Sequence, residues 1–147
     1  MKALLAALPR LPLAEAKGYA LLDTCFVIDA AERGKLDGLL GARVAITSFN
    51  AEELEQVAHR LRDKTKGSSR RFFKRHSSLP AVELPVHPGD RDGERAFVAS
   101  VDARLLEKVP DASDAVLIAA ALSAGCDVLT KDKHHLFTVV PDRREDS

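Results

Sequence analysis

The sequence predicts an α/β fold, a three-layer α/β/α stack around a central parallel sheet of four or five strands. Short apolar runs recur along the chain and read as buried strands. Segments with helical periodicity alternate with them, which implies a parallel sheet covered on both faces. The 147 residues fit one domain, 1–147, and suffice to bury a sizeable core.

Residues 1–18 (MKALLAALPRLPLAEAKG) read as an N-terminal extension. Their apolar stretch is short for an export signal, Arg10 interrupts it, and Pro9 and Pro12 break a helix. Residues 19–23 (YALLD) form the first strand, followed by a helix to about Arg33. Residues 43–47 (RVAIT) form the second. Ser48 and Asn50 are both candidate N-caps for the next helix. Its stripe of Leu54, Val57, Ala58 and Leu61 is amphipathic. Gly67-Ser68-Ser69 breaks that helix, and a second, basic helix follows. Residues 82–86 form a weak strand between Pro80 and Pro85, and 91–108 are helical. Pro110 and Ser113 introduce a helix over 114–124, closed by Gly125. Residues 126–130 (CDVLT) form a strand, and 137–140 (FTVV) a further one.

Apolar residues make up 46% and charged residues 30%, which excludes a disordered chain. No run approaches the ~20 apolar residues that span a bilayer, so no membrane partner is expected. Cys25 and Cys126 are too few for a disulfide scaffold and read as small packing residues in a reducing, cytoplasmic compartment.

The formal net charge is zero, with 22 basic and 22 acidic residues. The balance is uneven. The segment from His59 to His76 carries Arg60, Arg62, Lys64, Lys66, Arg70, Arg71, Lys74 and Arg75 against Asp63 alone. That is +7 locally and −7 elsewhere. Separated charge suggests an acidic part that does chemistry and a basic part that holds a polyanion. Phe72 and Phe73 within it could stack on bases but read better as core anchors for a short helix.

Ligands of parallel α/β sheets bind outside the carboxyl ends of the strands. Asp23 ends the first strand, and Asp132 follows CDVLT by two residues. Glu53 sits at the rim of its helix's buried face, whereas Glu52 points away from it. Glu53 could also complete a capping box with Asn50. Asp114 shares a helix face with Leu117, Ile118 and Ala121, where an acid needs a partner. A first-turn acid is otherwise ordinary. If the four converge, they cannot all ionise unaided, and a divalent cation resolves the repulsion. Oxygen donors without a Cys/His set point to Mg²⁺ or Mn²⁺, and the chemistry such a site supports is phosphodiester hydrolysis.

In this order, LLDTCFVID, TSFNAEELEQ, SDAVLIAAAL and CDVLTKDKHHLF resemble the PIN domain, a metal-dependent ribonuclease fold that includes VapC-type toxins. The likeness runs from about Ala20 to Val140. It implies that Asp23, Glu53, Asp114 and Asp132 bind the metal and carry catalysis, with Thr24 and Thr130 in support. It makes RNA the substrate and leaves a cognate antitoxin and a homodimer open as partners; the eight basic residues, by their charge, would hold the RNA backbone. Position 25 departs from the pattern, being Cys where the family most often has Asn. His134 and His135 read as loop histidines. The alternative function is a catalytically inactive PIN-fold module that binds RNA or protein.

Overall fold

The computed structural model describes residues 1–130, and the structural statements that follow concern those. The order is α1 (Lys2–Ala6), β1 (Arg10–Pro12), β2 (Ala20–Leu22), α2 (Thr24–Glu32), β3 (Val44–Thr47), α3 (Ser48–Ala58) and α4 (Asp63–Arg75). There follow β4 (Ala81–Glu83), α5 (Arg91–Asp102), α6 (Leu105–Lys108), α7 (Ala112–Ala124) and β5 (Asp127–Leu129). Short 3-10 turns occupy Leu13–Glu15 and Leu36–Leu39.

All five strands are parallel, in the order β1-β4-β3-β2-β5. Alternation along the strands divides the apolar residues between two cores. Leu21, Ala45 and Val82 pack with α5, α6 and α7 on one face. Leu22, Val44, Ile46 and Ala81 pack with α1, α2, α3 and α4 on the other. Helices on both faces make the three layers that the strand–helix alternation predicts. The chain leaves β2 towards β3 through α2 and comes back to its other side, at β5, through α7. The carboxyl end of β2 is therefore the switch point at which such sheets leave a crevice.

Residues 1–18 depart from expectation. They are no mere extension, because β1 pairs with β4 as an edge strand, Arg10 opposite Ala81 and Pro12 opposite Glu83. An edge position tolerates Pro12, which has no N–H to give a neighbour. Leu5 and Leu8 are buried in the core beneath α4. The fifth described strand is thus this one. The expected strand at 137–140 lies outside the described residues.

The helix break also falls elsewhere. α3 ends at Ala58, and α4 runs unbroken through Gly67-Ser68-Ser69. Buried Ser69 donates its hydroxyl to the Thr65 carbonyl oxygen one turn back, which keeps it satisfied inside a helix. Phe72 and Phe73 are fully buried and meet edge to face at 5.2 Å, so they are core anchors. The helix expected over 91–108 divides at 103–104, where the Asp102 carboxylate accepts from the Arg104 N–H. α7 starts from an Asp111 cap instead of Ser113, and Gly125 closes it at φ +76°, a left-handed conformation open to glycine.

If α1 belongs to the core, Leu5→Ala lowers unfolding stability by about 2–5 kcal/mol in urea titration. An N-terminal arm detached from the fold gives no change.

Candidate active site

Asp23, Glu53 and Asp114 line one cleft of about 240 Å³ at the switch point, together with Thr24, Asn50 and Thr130. The topology explains the meeting. Asp23 is the residue between β2 and α2, Glu53 stands in the second turn of α3, and Asp114 in the first turn of α7. All three helices have their N-termini at the carboxyl edge of the sheet, where partial positive charge favours carboxylates.

Asp23 holds its place through both chain and side chain. Its N–H donates to the Leu129 carbonyl oxygen at 3.0 Å, and its Oδ2 accepts from the Thr130 hydroxyl at 2.7 Å. This ties the ends of β2 and β5 together.

Glu53 is held by a buried polar network. The Thr24 hydroxyl lies 3.0 Å from Glu53 Oε1, and Asn50 Nδ2 donates to the same oxygen at 3.1 Å. Asn50 Nδ2 also donates to Thr24 Oγ1 at 3.0 Å, while Asn50 Oδ1 accepts from the Thr47 hydroxyl at 2.6 Å. Thr47 Oγ1 in turn accepts from the Asn50 N–H at 3.0 Å, which makes Thr47 the N-cap of α3. Neither Ser48 nor Asn50 caps that helix, since Ser48 accepts from the Leu84 N–H with its hydroxyl and Asn50 reaches across to α2. The capping-box alternative for Glu53 fails for the same reason. Glu52, next along the helix, turns to the other side and meets His87 Nδ1 at 2.8 Å.

Burial pushes the Glu53 carboxyl from its ordinary 4.5 up to about 7. The carboxylates of Asp23 and Asp114 add to the rise, and the hydrogen bonds from Thr24 and Asn50 oppose it. Asp114 itself is exposed at the start of α7, so it faces solvent in the cleft and not the packing face that its helical angle suggests. Cys25 is likewise exposed and lines the cleft, unlike Cys126, which is buried with its thiol 3.1 Å from the Ala16 carbonyl oxygen. The reading of both as packing residues holds for Cys126 only.

Glu94 is a site residue that the sequence reading missed. It is fully buried on α5 and accepts from the Ser113 hydroxyl and the Gly89 N–H, each at 3.0 Å. It thereby pins the residue before Asp114. Its spacing was the available signal, since Glu94 shares a helix face with Phe97 and Val98, where an acid is out of place.

Asp132, His134 and His135 lie outside the described residues. None of the eight basic residues lines the cleft. They occupy the turn after α3 and the surface of α4, which packs against α2, and Arg75 pairs with Asp37 at 3.5 Å.

Among the described residues, no group of three or more His, Cys, Asp or Glu side chains forms a ready-made metal cage. The donor chemistry nevertheless suits a hard divalent cation. Oxygen donors line the cleft, and Glu53 is destabilised as an anion by burial first and by the nearby Asp23 and Asp114 second. Mg²⁺ keeps several waters and takes only one or two carboxylates, so a closed cage is not required.

A three-layer fold around a parallel sheet, with carboxylates gathered at the switch point, defines an acidic-cleft α/β protein. The PIN domain family model matches residues 20–141, and the chain belongs to that family. PIN domains are generally metal-dependent nucleases, and those nucleases act on RNA. Comparison with curated proteins and with solved structures gives no significant match. Among the described residues no helix is long and apolar enough to cross a membrane.

The raised Glu53 value sets a pH dependence. The native state holds more protons than the unfolded chain between about 4.5 and about 7. Stability of the metal-free protein is therefore full below that window and falls as pH rises through it. Thermal unfolding in EDTA should show this decline, and Glu53→Gln should flatten it. A slope unchanged in the variant assigns the dependence to another group.

Proposed function

We propose that this protein is a Mg²⁺- or Mn²⁺-dependent endoribonuclease acting in the cytoplasm. The observation that carries the reading is the convergence of Asp23, Glu53 and Asp114 on one cleft at the switch point of the sheet. Asp23, Glu53, Asp114 and Asp132 are the residues that would hold the cation. When bound, it lowers the pKa of a coordinated water and stabilises charge on the phosphate.

The chain supplies the rest. Thr130 fixes one oxygen of Asp23, and Thr24 with Asn50 fixes one oxygen of Glu53. Glu94 holds Ser113 and so the start of α7, which sets where Asp114 stands. Such preorganised donors need no rearrangement as charge develops. The basic residues Arg60, Arg62, Lys64, Lys66, Arg70, Arg71, Lys74 and Arg75 hold the RNA backbone on the neighbouring α4 surface, away from the reacting phosphate.

A second reading is a binding module on the same fold without catalysis. Cleavage of total RNA with sequenced ends separates the two. The nuclease reading expects cleavage that EDTA abolishes, Mg²⁺ or Mn²⁺ restores, and Asp23→Asn lowers at least about a hundredfold, as loss of a charge-stabilising group does. Cleavage at the wild-type rate in Asp23→Asn overturns this site. An antitoxin and a toxin role belong to the same proposal, and a small adjacent reading frame with a DNA-binding N-terminus would support them.

The basic surface has its own test. Arg70→Ala with Arg71→Ala should weaken RNA binding in fluorescence anisotropy. It should also shrink the salt slope by about 0.7 for each phosphate of a single strand that the variant no longer neutralises. An unchanged slope removes α4 from the substrate path.

A further inference from the structure

The acidic cleft has a half that phosphate chemistry does not use. Each of its three helices lines it with a polar group and an aliphatic side chain four residues on: Thr24 and Ile28, Glu53 and Val57, Asp114 and Ile118. That spacing places the pair on one helix face, with the second about one turn, ~5.4 Å, further along. Ile118 is nearly fully buried, whereas Ile28 and Val57 are partly exposed. Ile28 and Val57 therefore present the accessible surface of an aliphatic wall that α7 backs.

We infer that this wall is a nucleobase subsite, which holds the face of one unpaired base beside the phosphate addressed by the acids. The inference rests on the nuclease reading above. A nucleotide is a flat, largely apolar face joined to an anion, and the cleft repeats that division, aliphatic on one side and metal-suited on the other. The two halves are contiguous, so one nucleotide can meet both. The volume of about 240 Å³ falls below the range usual for drug-sized ligands and admits one base, not a stacked helix. The substrate at this point is accordingly single-stranded, with the base out of its stack.

The subsite reads shape more than identity. The Asn50 amide, the obvious group for a base edge, is engaged by Thr24, Glu53 and Thr47. The Ser113 hydroxyl donates to Glu94. Aliphatic contact remains, which rewards the larger face of a purine over a pyrimidine through buried area alone.

The test uses the full chain with labelled Ile, Leu and Val methyl groups and Mg²⁺ present. Adenosine 5′-monophosphate and ribose 5-phosphate are the probes, identical except for the base. The nucleotide should shift the Ile28 and Val57 methyl resonances, and ribose 5-phosphate should leave them in place. Val57→Ser, with its fold checked in the same spectrum, should weaken nucleotide binding by about tenfold, the loss of a buried valine contact, and spare ribose 5-phosphate. Equal methyl shifts from both probes, no shift from the nucleotide, or equal weakening of both by Val57→Ser overturns the subsite. A wild-type protein that binds the nucleotide this way yet cleaves no RNA would instead remove the nuclease reading and leave the base contact standing.

Discussion

The site depends on one buried side chain, the Asn50 amide. Its carbonyl oxygen takes the Thr47 hydroxyl at the end of β3, and its nitrogen reaches Thr24 on α2 and Glu53 on its own helix. Three elements are thereby locked around a single planar group, and Thr47, Thr24 and Asn50 are all buried. A buried amide left unpaired costs several kcal/mol in apolar surroundings, so the network strongly favours one arrangement. Through it Glu53 is aimed into the cleft while its neighbour Glu52 faces His87 on the other side. The acid pattern of the cleft follows from that choice.

The electrostatics then pull in two directions. Hydrogen bonds from Thr24 and Asn50 favour the Glu53 anion, whereas burial and two nearby acids disfavour it, and the second set wins. The fold holds this opposition without the need for a distorted backbone, since among the described residues only glycines adopt positive φ. The basic surface of α4 lies one helix away, packed on α2, so the positive charge and the acids of the cleft occupy separate parts of the molecule. That separation is the physical content of a net charge of zero.

Much of the fold was legible because its signals are local. The strands near 19–23, 43–47 and 126–130 are short apolar runs, and α7 is apolar nearly all round with Gly125 at its close. The failures are equally local in cause. β1 is three residues long, half exposed and ends in Pro12, so nothing in its composition marks a strand, and only β4 beside it makes it one. Gly67-Ser68-Ser69 looked like a break because small and glycine residues weaken an isolated helix. The burial of Phe72 and Phe73 against the core outweighs that weakness. Glu94 stands in a charged stretch that masks it, although its place beside Phe97 and Val98 on one helix face marks it as buried.

The sequence by itself determined the layered α/β class, the family pattern of acids and the concentration of positive charge between His59 and His76, because each is written in order and spacing along the chain. Tertiary structure alone decided which groups meet. The pairing of Thr130 with Asp23 and of Asn50 with Thr24 joins residues far apart in sequence, and only the parallel sheet brings their strand ends and helix starts together. It also decided that residues 1–18 add an edge strand and that the acids share their cleft with an aliphatic wall. The reason is the same in each case. Periodicity fixes the face on which a side chain stands, but its neighbour across that face is fixed only when the layers pack.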